Sequence, residues 1–194
     1  MKGAVAIVPA AGAAERFGSA KMLASIGGDK LLERTIRSLL DGGVDRVVVV
    51  LGPDASDIRN GVPALDARGV RVATNRRPER GMLSSIQAGL RDTKGDPILV
   101  LPGDMPYVEP ATVSALLREQ AQRGGILSPR FDGKRGHPVV MPGSLRDEIL
   151  DAVDGATLHD VLRAHASERV DLEVYDRGVV RDVDRPSDLE EKAP

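Results

Sequence analysis

The chain alternates apolar runs with amphipathic segments. Ala4 to Val8 is an apolar run rich in β-branched residues, closed by Pro9 and Gly12, which predicts a buried strand. From Lys30 to Leu40, residues Leu31, Leu32, Ile36, Leu39 and Leu40 fall on one face of a 3.6-residue period, and Gly42-Gly43 stops the predicted helix. Arg46 to Leu51 is apolar on both faces, as a parallel strand covered by helices must be. A third strand is predicted over Val70–Thr74, a helix over Met82–Arg91 and a fourth strand over Pro97–Leu101. A helix over Ala111–Gln122 turns Val113, Leu116, Leu117 and Ala121 inward. Ile126-Leu127 and Val139–Met141 read as weaker strands, Leu145–Val153 and Thr157–His165 as helices, and Leu172–Asp182 as a final hairpin or strand pair. Strand and helix in alternation imply an α/β fold with a mostly parallel, doubly wound sheet.

Composition narrows the function. At 194 residues the chain is expected to form one domain, residues 1–194. Its 41% hydrophobic and 29% charged residues exclude a disordered chain. Lys and Arg total 27 against 29 Asp and Glu, so there is no basic footprint for nucleic acid. The aromatic residues are Phe17, Tyr107, Phe131 and Tyr175, too few for a base-stacking platform. The absence of cysteine excludes disulfides, thiolate metal sites and cysteine nucleophiles. The longest nearly apolar stretch, Ala4–Ala14, is too short to span a bilayer and runs into Glu15-Arg16, unlike a signal peptide. A cytoplasmic protein with no membrane or nucleic-acid partner is expected.

Ligands of open parallel sheets bind beyond the carboxyl ends of the strands. Three loops there carry candidate chemistry. Pro9 to Lys21 is rich in small residues, which let backbone N–H groups approach a phosphate, and Arg16 and Lys21 add positive charge. It lacks both the Walker A ending and the Gly-x-Gly-x-x-Gly dinucleotide fingerprint, and a plain strand-to-helix turn remains the alternative. Asp104, in Leu101-Pro102-Gly103-Asp104-Met105-Pro106, stands where a metal–triphosphate would sit; an Asp in a Pro-Gly turn is the plainer account. Asp182 and Asp184 lie on a segment read as extended and are expected to face opposite sides, so that one alone reaches a given site. Ser187 or Asp188 is expected to cap the last helix.

Together these loops resemble the MobA-like nucleotidyltransferases of the molybdenum-cofactor group, most closely the molybdenum-cofactor cytidylyltransferases. The resemblance runs in family order through Ala10-Ala11-Gly12 with Arg16, Gly18 and Lys21, then Asn75 with Gly81-Met82 and Ser84-Ser85, then Gly103-Asp104-Met105-Pro106, Gly136-His137-Pro138 and Asp182-Val183-Asp184-Arg185-Pro186-Ser187-Asp188-Leu189. The late Gly-Asp-x-Gly-Ala-Arg of many members stands here as Val153-Asp154-Gly155-Ala156-Thr157, without the Arg.

The resemblance implies a Rossmann-like three-layer fold of the nucleotide-diphospho-sugar transferase type and transfer of a nucleotide to a phosphorylated small molecule. It implies that Ala10, Ala11, Gly12, Arg16 and Lys21 cradle the triphosphate and that Asp104 and Asp184 hold Mg²⁺. Ser84 and Ser85 would line the nucleobase and ribose pocket, and Gly136, His137 and Pro138 would lie near the acceptor. Arg16, Lys21 and Asp104 would be the catalytic groups. Guanylyl members usually carry Ala-Gly-Gly in the first loop, so Ala10-Ala11-Gly12 implies CTP and transfer of CMP to an acceptor such as molybdenum cofactor, with a molybdenum-containing dehydrogenase as a further partner. Two rivals stay open: a small-molecule oxidoreductase, and a non-catalytic cofactor-binding assembly factor.

Overall fold

The structure is a computed structural model that describes residues 3–12, 21–53 and 55–189. Its main sheet carries the predicted strands β1 (Val5–Pro9), β4 (Arg46–Leu51), β5 (Val70–Thr74), β6 (Ile98–Val100), β7 (Ile126–Phe131) and β9 (Val139–Met141), with β8 (Lys134–Arg135) and β10 (Arg169–Glu173). A short ribbon, β2 (Ser25–Ile26) with β3 (Asp29–Lys30), stands apart. The strand order is β10-β7-β9-β6-β1-β4-β5, with β8 beside β7. β1, β4, β5 and β6 run parallel, as does β10 with β7; β9 runs antiparallel between β6 and β7.

Alternation along each strand builds three layers. In β1, Ala6 and Val8 face one side while Val5 and Ile7 face the other, and in β4 Val47, Val49 and Leu51 oppose Val48 and Val50. The first side is covered by α1 (Leu31–Asp41) and α4 (Pro110–Arg123), through residues such as Leu32, Ile36, Leu39, Val113 and Leu116. The second is covered by α3 (Met82–Leu90), α5 (Arg146–Asp151) and α6 (Leu158–Ala164), through Leu83, Ile86, Leu90, Ile149 and Leu162. A further short helix, α2 (Ser56–Gly61), follows β4. The expected doubly wound, mostly parallel sheet is therefore present. Among the described residues, no helix is long and apolar enough to cross a membrane.

Two elements differ from expectation. The helix expected over Leu145–Val153 is shortened to α5, because Gly143–Leu145 winds as a 3₁₀ turn and Ala152 is extended. The hairpin expected over Leu172–Asp182 is absent. β10 ends at Glu173 and Arg177–Val180 coils as a 3₁₀ turn. The cause is Asp176, whose buried carboxylate accepts hydrogen bonds from Gly178 N at 2.7 Å and Glu109 N at 2.9 Å. Gly178 then lies directly against the Tyr107 backbone, so the chain is drawn toward the start of α4 and away from β10.

The sheet's strand order positions the site. The chain runs from β1 to β4 and β5 on one side, then returns to β6 on the other. Loops leaving β1 and β6 diverge at that reversal, which is where open α/β sheets bind ligands.

α3 lies so close to β1 and β4 that a Cβ on Gly89 would sit 2.8 Å from Ile7 Cγ2 and 2.9 Å from Val50 Cγ2. Gly89→Val should lower stability by about 1–3 kcal/mol, the usual cost of overpacking a core. Urea unfolding at constant m measures it, and an unchanged midpoint would contradict this packing.

Candidate functional site

The β1–β6 reversal is stitched by backbone bonds. Ala10 N donates to Val50 O at 2.8 Å, Leu101 N to Ile7 O at 3.1 Å and Gly103 N to Pro9 O at 2.9 Å. Gly103 packs closely there, since a Cβ would stand 3.0 Å from the Ala10 methyl and 3.2 Å from Pro9 O. Buried Thr35 on α1 donates from Oγ1 to Gly103 O at 3.1 Å, fixing the turn that presents Asp104. Val183 N donates to Asp104 O at 2.9 Å and brings the C-terminal segment alongside.

These bonds gather three charges. Lys21 Nζ lies 2.8 Å from Asp104 Oδ2 and 3.1 Å from Asp184 Oδ1. The Lys21 side chain is 11% exposed, Asp104 25% and Asp184 55%, so the cluster opens to solvent on the Asp184 side. Burial works against the ammonium charge, but the hydrogen bonds and charges of Asp104 and then Asp184 outweigh it and hold the Lys21 pKa above its ordinary value. Lys21 is therefore a cation at any physiological pH. Asp188 reaches backward from the turn that follows. Its Oδ2 accepts from Asp184 N at 3.0 Å and Arg185 N at 2.7 Å, and these bonds hold its carboxyl below the usual range.

The expectation for Asp182 and Asp184 is corrected. Val183 between them is fully buried and both aspartates are exposed. Residues two apart on an extended segment share a face, so both carboxylates turn toward the site. Asp182 acts on a different neighbour, His137. Burial pushes the His137 pKa down, and the charges of Asp104 and Asp182 only partly restore it.

Gly136, His137 and Pro138 form the turn between β8 and β9. His137 N donates to Val179 O at 2.8 Å and Gly136 N to Pro129 O at 2.8 Å, so the turn is clamped from both sides. Gly136 and His137 line a cavity of about 470 Å³ that also receives Met82, Ile86, Thr157, Leu162 and Arg169; Pro138 is buried behind them. Arg80 lines its edge and pairs with Asp154. Ser84 and Ser85, in the first turn of α3, are both buried and receive hydrogen bonds from Asn75 Nδ2 at 2.8 and 3.0 Å. Asn75 Oδ1 accepts from Arg77 N at 3.0 Å, so one amide ties the β5–α3 loop to the helix.

Ala10 and Ala11 are buried at the end of β1 and Gly12 is exposed just beyond; Arg16 lies outside the described residues. Of the expected site residues, Lys21 contacts both Asp104 and Asp184, and His137 feels Asp104 and Asp182. Ser84 and Ser85 belong to the separate Asn75 network. Sequence reasoning missed Thr35, a threonine inside a helix whose only signal is its place on the buried face. Asp188, expected with Ser187 to cap the last helix, bonds the backbone of Asp184 and Arg185 that precede it, while residues 190–194 lie outside the described residues.

The donor set can be tested against a metal ion. Two carboxylates converge on a single cationic nitrogen, and among the described residues no group of three or more His, Asp or Glu side chains could hold a metal. Mg²⁺ is commonly held by one or two carboxylates, with phosphate and water completing its octahedron. The pair suits such an ion and would be a poor cage for one bound by protein alone.

A mostly parallel three-layer sheet with a charged cluster at its strand-order reversal defines an open α/β architecture of the ligand-binding kind. Residues 6–170 match the MobA-like NTP transferase domain, and the chain belongs to that family. It is 31% identical over 137 residues to the bifunctional protein GlmU of Bordetella petrii, covering 68% of this chain but 29% of that longer protein. It is 32% identical over 189 residues to the nicotine blue oxidoreductase of Paenarthrobacter nicotinovorans, covering 92% of this chain and 90% of the relative. It is 31% identical over 168 residues to a phosphoenolpyruvate guanylyltransferase of Rubrobacter xylanophilus, covering 82% and 76%. Among solved structures, a nucleotidyl transferase from Methanothermobacter superposes with a TM-score of 0.78 at 24% identity over 96% of this chain and 94% of that one. A Mycobacterium tuberculosis protein solved with manganese superposes at 0.72, with 22% identity over 89% and 88%. These neighbours confirm the nucleotide-sugar-transferase type of fold, and the chain is a nucleotidyltransferase by family.

Asn75→Ala should leave the buried hydroxyls of Ser84 and Ser85 without their shared donor. A lost buried partner costs about 1–3 kcal/mol, so the melting temperature should fall while far-UV dichroism is unchanged. Asn75→Asp replaces the amide donor with an acceptor, and should be no better. Full stability in both variants would show that the network carries no weight.

Proposed function

We propose that this nucleotidyltransferase is Mg²⁺-dependent and transfers CMP from CTP to a phosphorylated small molecule such as molybdenum cofactor, releasing pyrophosphate. The observation that carries the reading is the Lys21–Asp104–Asp184 cluster at the β1–β6 reversal. One phosphate oxygen of the acceptor attacks the α-phosphorus, a new P–O bond forms, and the bond to the β-phosphate oxygen breaks. The acceptor phosphate is already ionised at neutral pH, so no side chain need remove a proton.

The chain's contribution is positioning and charge. Ala10, Ala11 and Gly12 offer the backbone of a small-residue loop to the triphosphate, with Lys21 and Arg16 as its cations. Asp104 and Asp184 would hold Mg²⁺, which when bound neutralises phosphate charge and favours departure of pyrophosphate. Thr35 and Asp188 are positioning residues for these two carboxylates. The Asn75–Ser84–Ser85 network shapes the nucleoside side, and the cavity edged by Gly136 and His137 receives the acceptor, with Pro138 supporting their turn. A neutral, burial-depressed His137 suits hydrogen bonding to an acceptor better than charge pairing with it. We place the enzyme in the cytoplasm, where nucleoside triphosphates are abundant.

CTP is favoured by Ala11, which is buried at the end of β1 and whose methyl narrows the space for a purine edge. Guanylyltransferase relatives argue the other way, so the base is the finer question. A second reading has one specific support: the relative matched over 92% of this chain is named an oxidoreductase. Under it the same cavity would hold a planar pigment. A third, non-catalytic transfer of cofactor to a molybdenum-containing dehydrogenase, predicts nucleotide binding without turnover.

Three outcomes separate them. With Mg²⁺, CTP and a panel of phosphorylated acceptors, pyrophosphate release supports the transferase. Reduced-nicotinamide consumption without pyrophosphate favours the oxidoreductase, and binding with neither favours the carrier. Asp104→Asn and Asp184→Asn should each lower turnover by about 10²–10³-fold, as loss of a charge-stabilising group does. Full activity in Asp104→Asn would overturn the metal assignment.

Melting curves with Mg²⁺ rank the base, since a ligand at 100 times its Kd stabilises by about 2.7 kcal/mol. CTP should raise the melting temperature most and GTP least, and Ala11→Gly should narrow the gap. A larger shift with GTP in the parent would reverse the base assignment.

A further inference from the structure

The cluster carries more than a list of ligands, because its cation already stands between its carboxylates. Lys21 Nζ is 2.8 Å from one and 3.1 Å from the other, on a side chain 11% exposed. A divalent ion that approached Asp104 and Asp184 would therefore meet a positive charge already bound to both carboxylates. To admit the ion, Lys21 must give up both carboxylates. With no other anion present, the ammonium would be left nearly buried and unpaired, which is strongly unfavourable. A triphosphate removes that obstacle. It gives Lys21 new anionic partners, and it delivers an ion whose charge is already partly neutralised by phosphate oxygens.

We propose that Lys21 makes the Asp104–Asp184 pair selective for a divalent ion arriving with a triphosphate over the free ion. Lys21 is then a specificity-determining residue: it holds the acidic pair closed to free cations and transfers to phosphate when nucleotide enters. Coupling of this kind is reciprocal, so the ion should raise triphosphate affinity by the factor by which the triphosphate raises ion affinity. The proposal rests on the transferase reading but makes a separate claim about the resting site.

The test uses Mn²⁺ as the probe and binding as the readout. Binding of Mn²⁺ alone is followed by electron paramagnetic resonance, and binding of a non-hydrolysable CTP analogue by calorimetry in EDTA and in excess Mn²⁺. The parent should bind Mn²⁺ alone weakly and the analogue at least about tenfold more tightly with Mn²⁺ than without, a factor of ten being about 1.4 kcal/mol. Lys21→Met should bind Mn²⁺ alone about tenfold more tightly than the parent, while losing affinity for the analogue. Lys21→Gln should repeat the Mn²⁺ gain, and Lys21→Arg, which keeps the charge, should not show it. Adding Asp104→Asn to Lys21→Met should abolish the gain, which assigns it to the acidic pair.

The proposal is overturned if folded Lys21→Met and Lys21→Gln both bind Mn²⁺ no more tightly than the parent. It is also overturned if the parent binds Mn²⁺ and the analogue independently, an outcome that leaves the transferase reading standing. If the parent binds no triphosphate under any condition, the transferase reading fails and this proposal fails with it.

Discussion

Two carboxylates held around one ammonium are the constraint on which the site depends. Like charges repel, and Lys21 offsets that repulsion by contacting both Asp104 and Asp184. The fold supplies that cation from a third part of the chain, in the short turn at Lys21–Leu23. Distant segments thus become one electrostatic unit: residues 21 and 104 are 83 apart in sequence, and 21 and 184 are 163 apart. Bringing them together is what the sheet's reversal accomplishes.

The surrounding structure can be understood as support for that unit. Gly103 lets the β6 loop settle on the end of β1, and Thr35 binds its carbonyl from the helix above. Asp188 fixes the backbone of Asp184 from a turn further on, while Val183 anchors the segment in the core between two exposed aspartates. None of these groups needs to touch a substrate. Each removes a freedom that the carboxylates would otherwise have, which is how a preorganised charged site is built.

Much of this was legible in the sequence, for definite reasons. Arg46–Leu51 announces a central parallel strand because both of its faces are apolar, and Ala10, Ala11 and Gly12 announce their place by following such a strand, residues 13–20 of that loop lying outside the described residues. Asp104 could be picked out for the same reason. The failures are equally physical. The run from Leu172 to Asp182 has strand-like composition, yet its path is decided by Asp176 bonding to Glu109 N, a contact 67 residues away. The facing of Asp182 and Asp184 was misjudged although a period of two puts them together. The cavity edged by Gly136 and His137 was hardest, because its walls come from α3, β9, α6 and β10 and their joint shape leaves no local pattern.

The site's two halves differ in the physics that selects them. On the proposed reading, the Lys21–Asp104–Asp184 half needs charges of fixed sign at nearly fixed distances, so few residue types satisfy it. The half proposed for the acceptor, with Met82, Ile86, Leu162, His137 and Arg169 around one cavity, would require only a shape and a few polar anchors. Many residue combinations meet that demand. Relatives with the same fold can therefore bear names as different as guanylyltransferase and oxidoreductase. In this chain the ammonium of Lys21 lies on the charge-determined side of that division: replacing it removes the shared partner of Asp104 and Asp184, whatever side chains line the cavity.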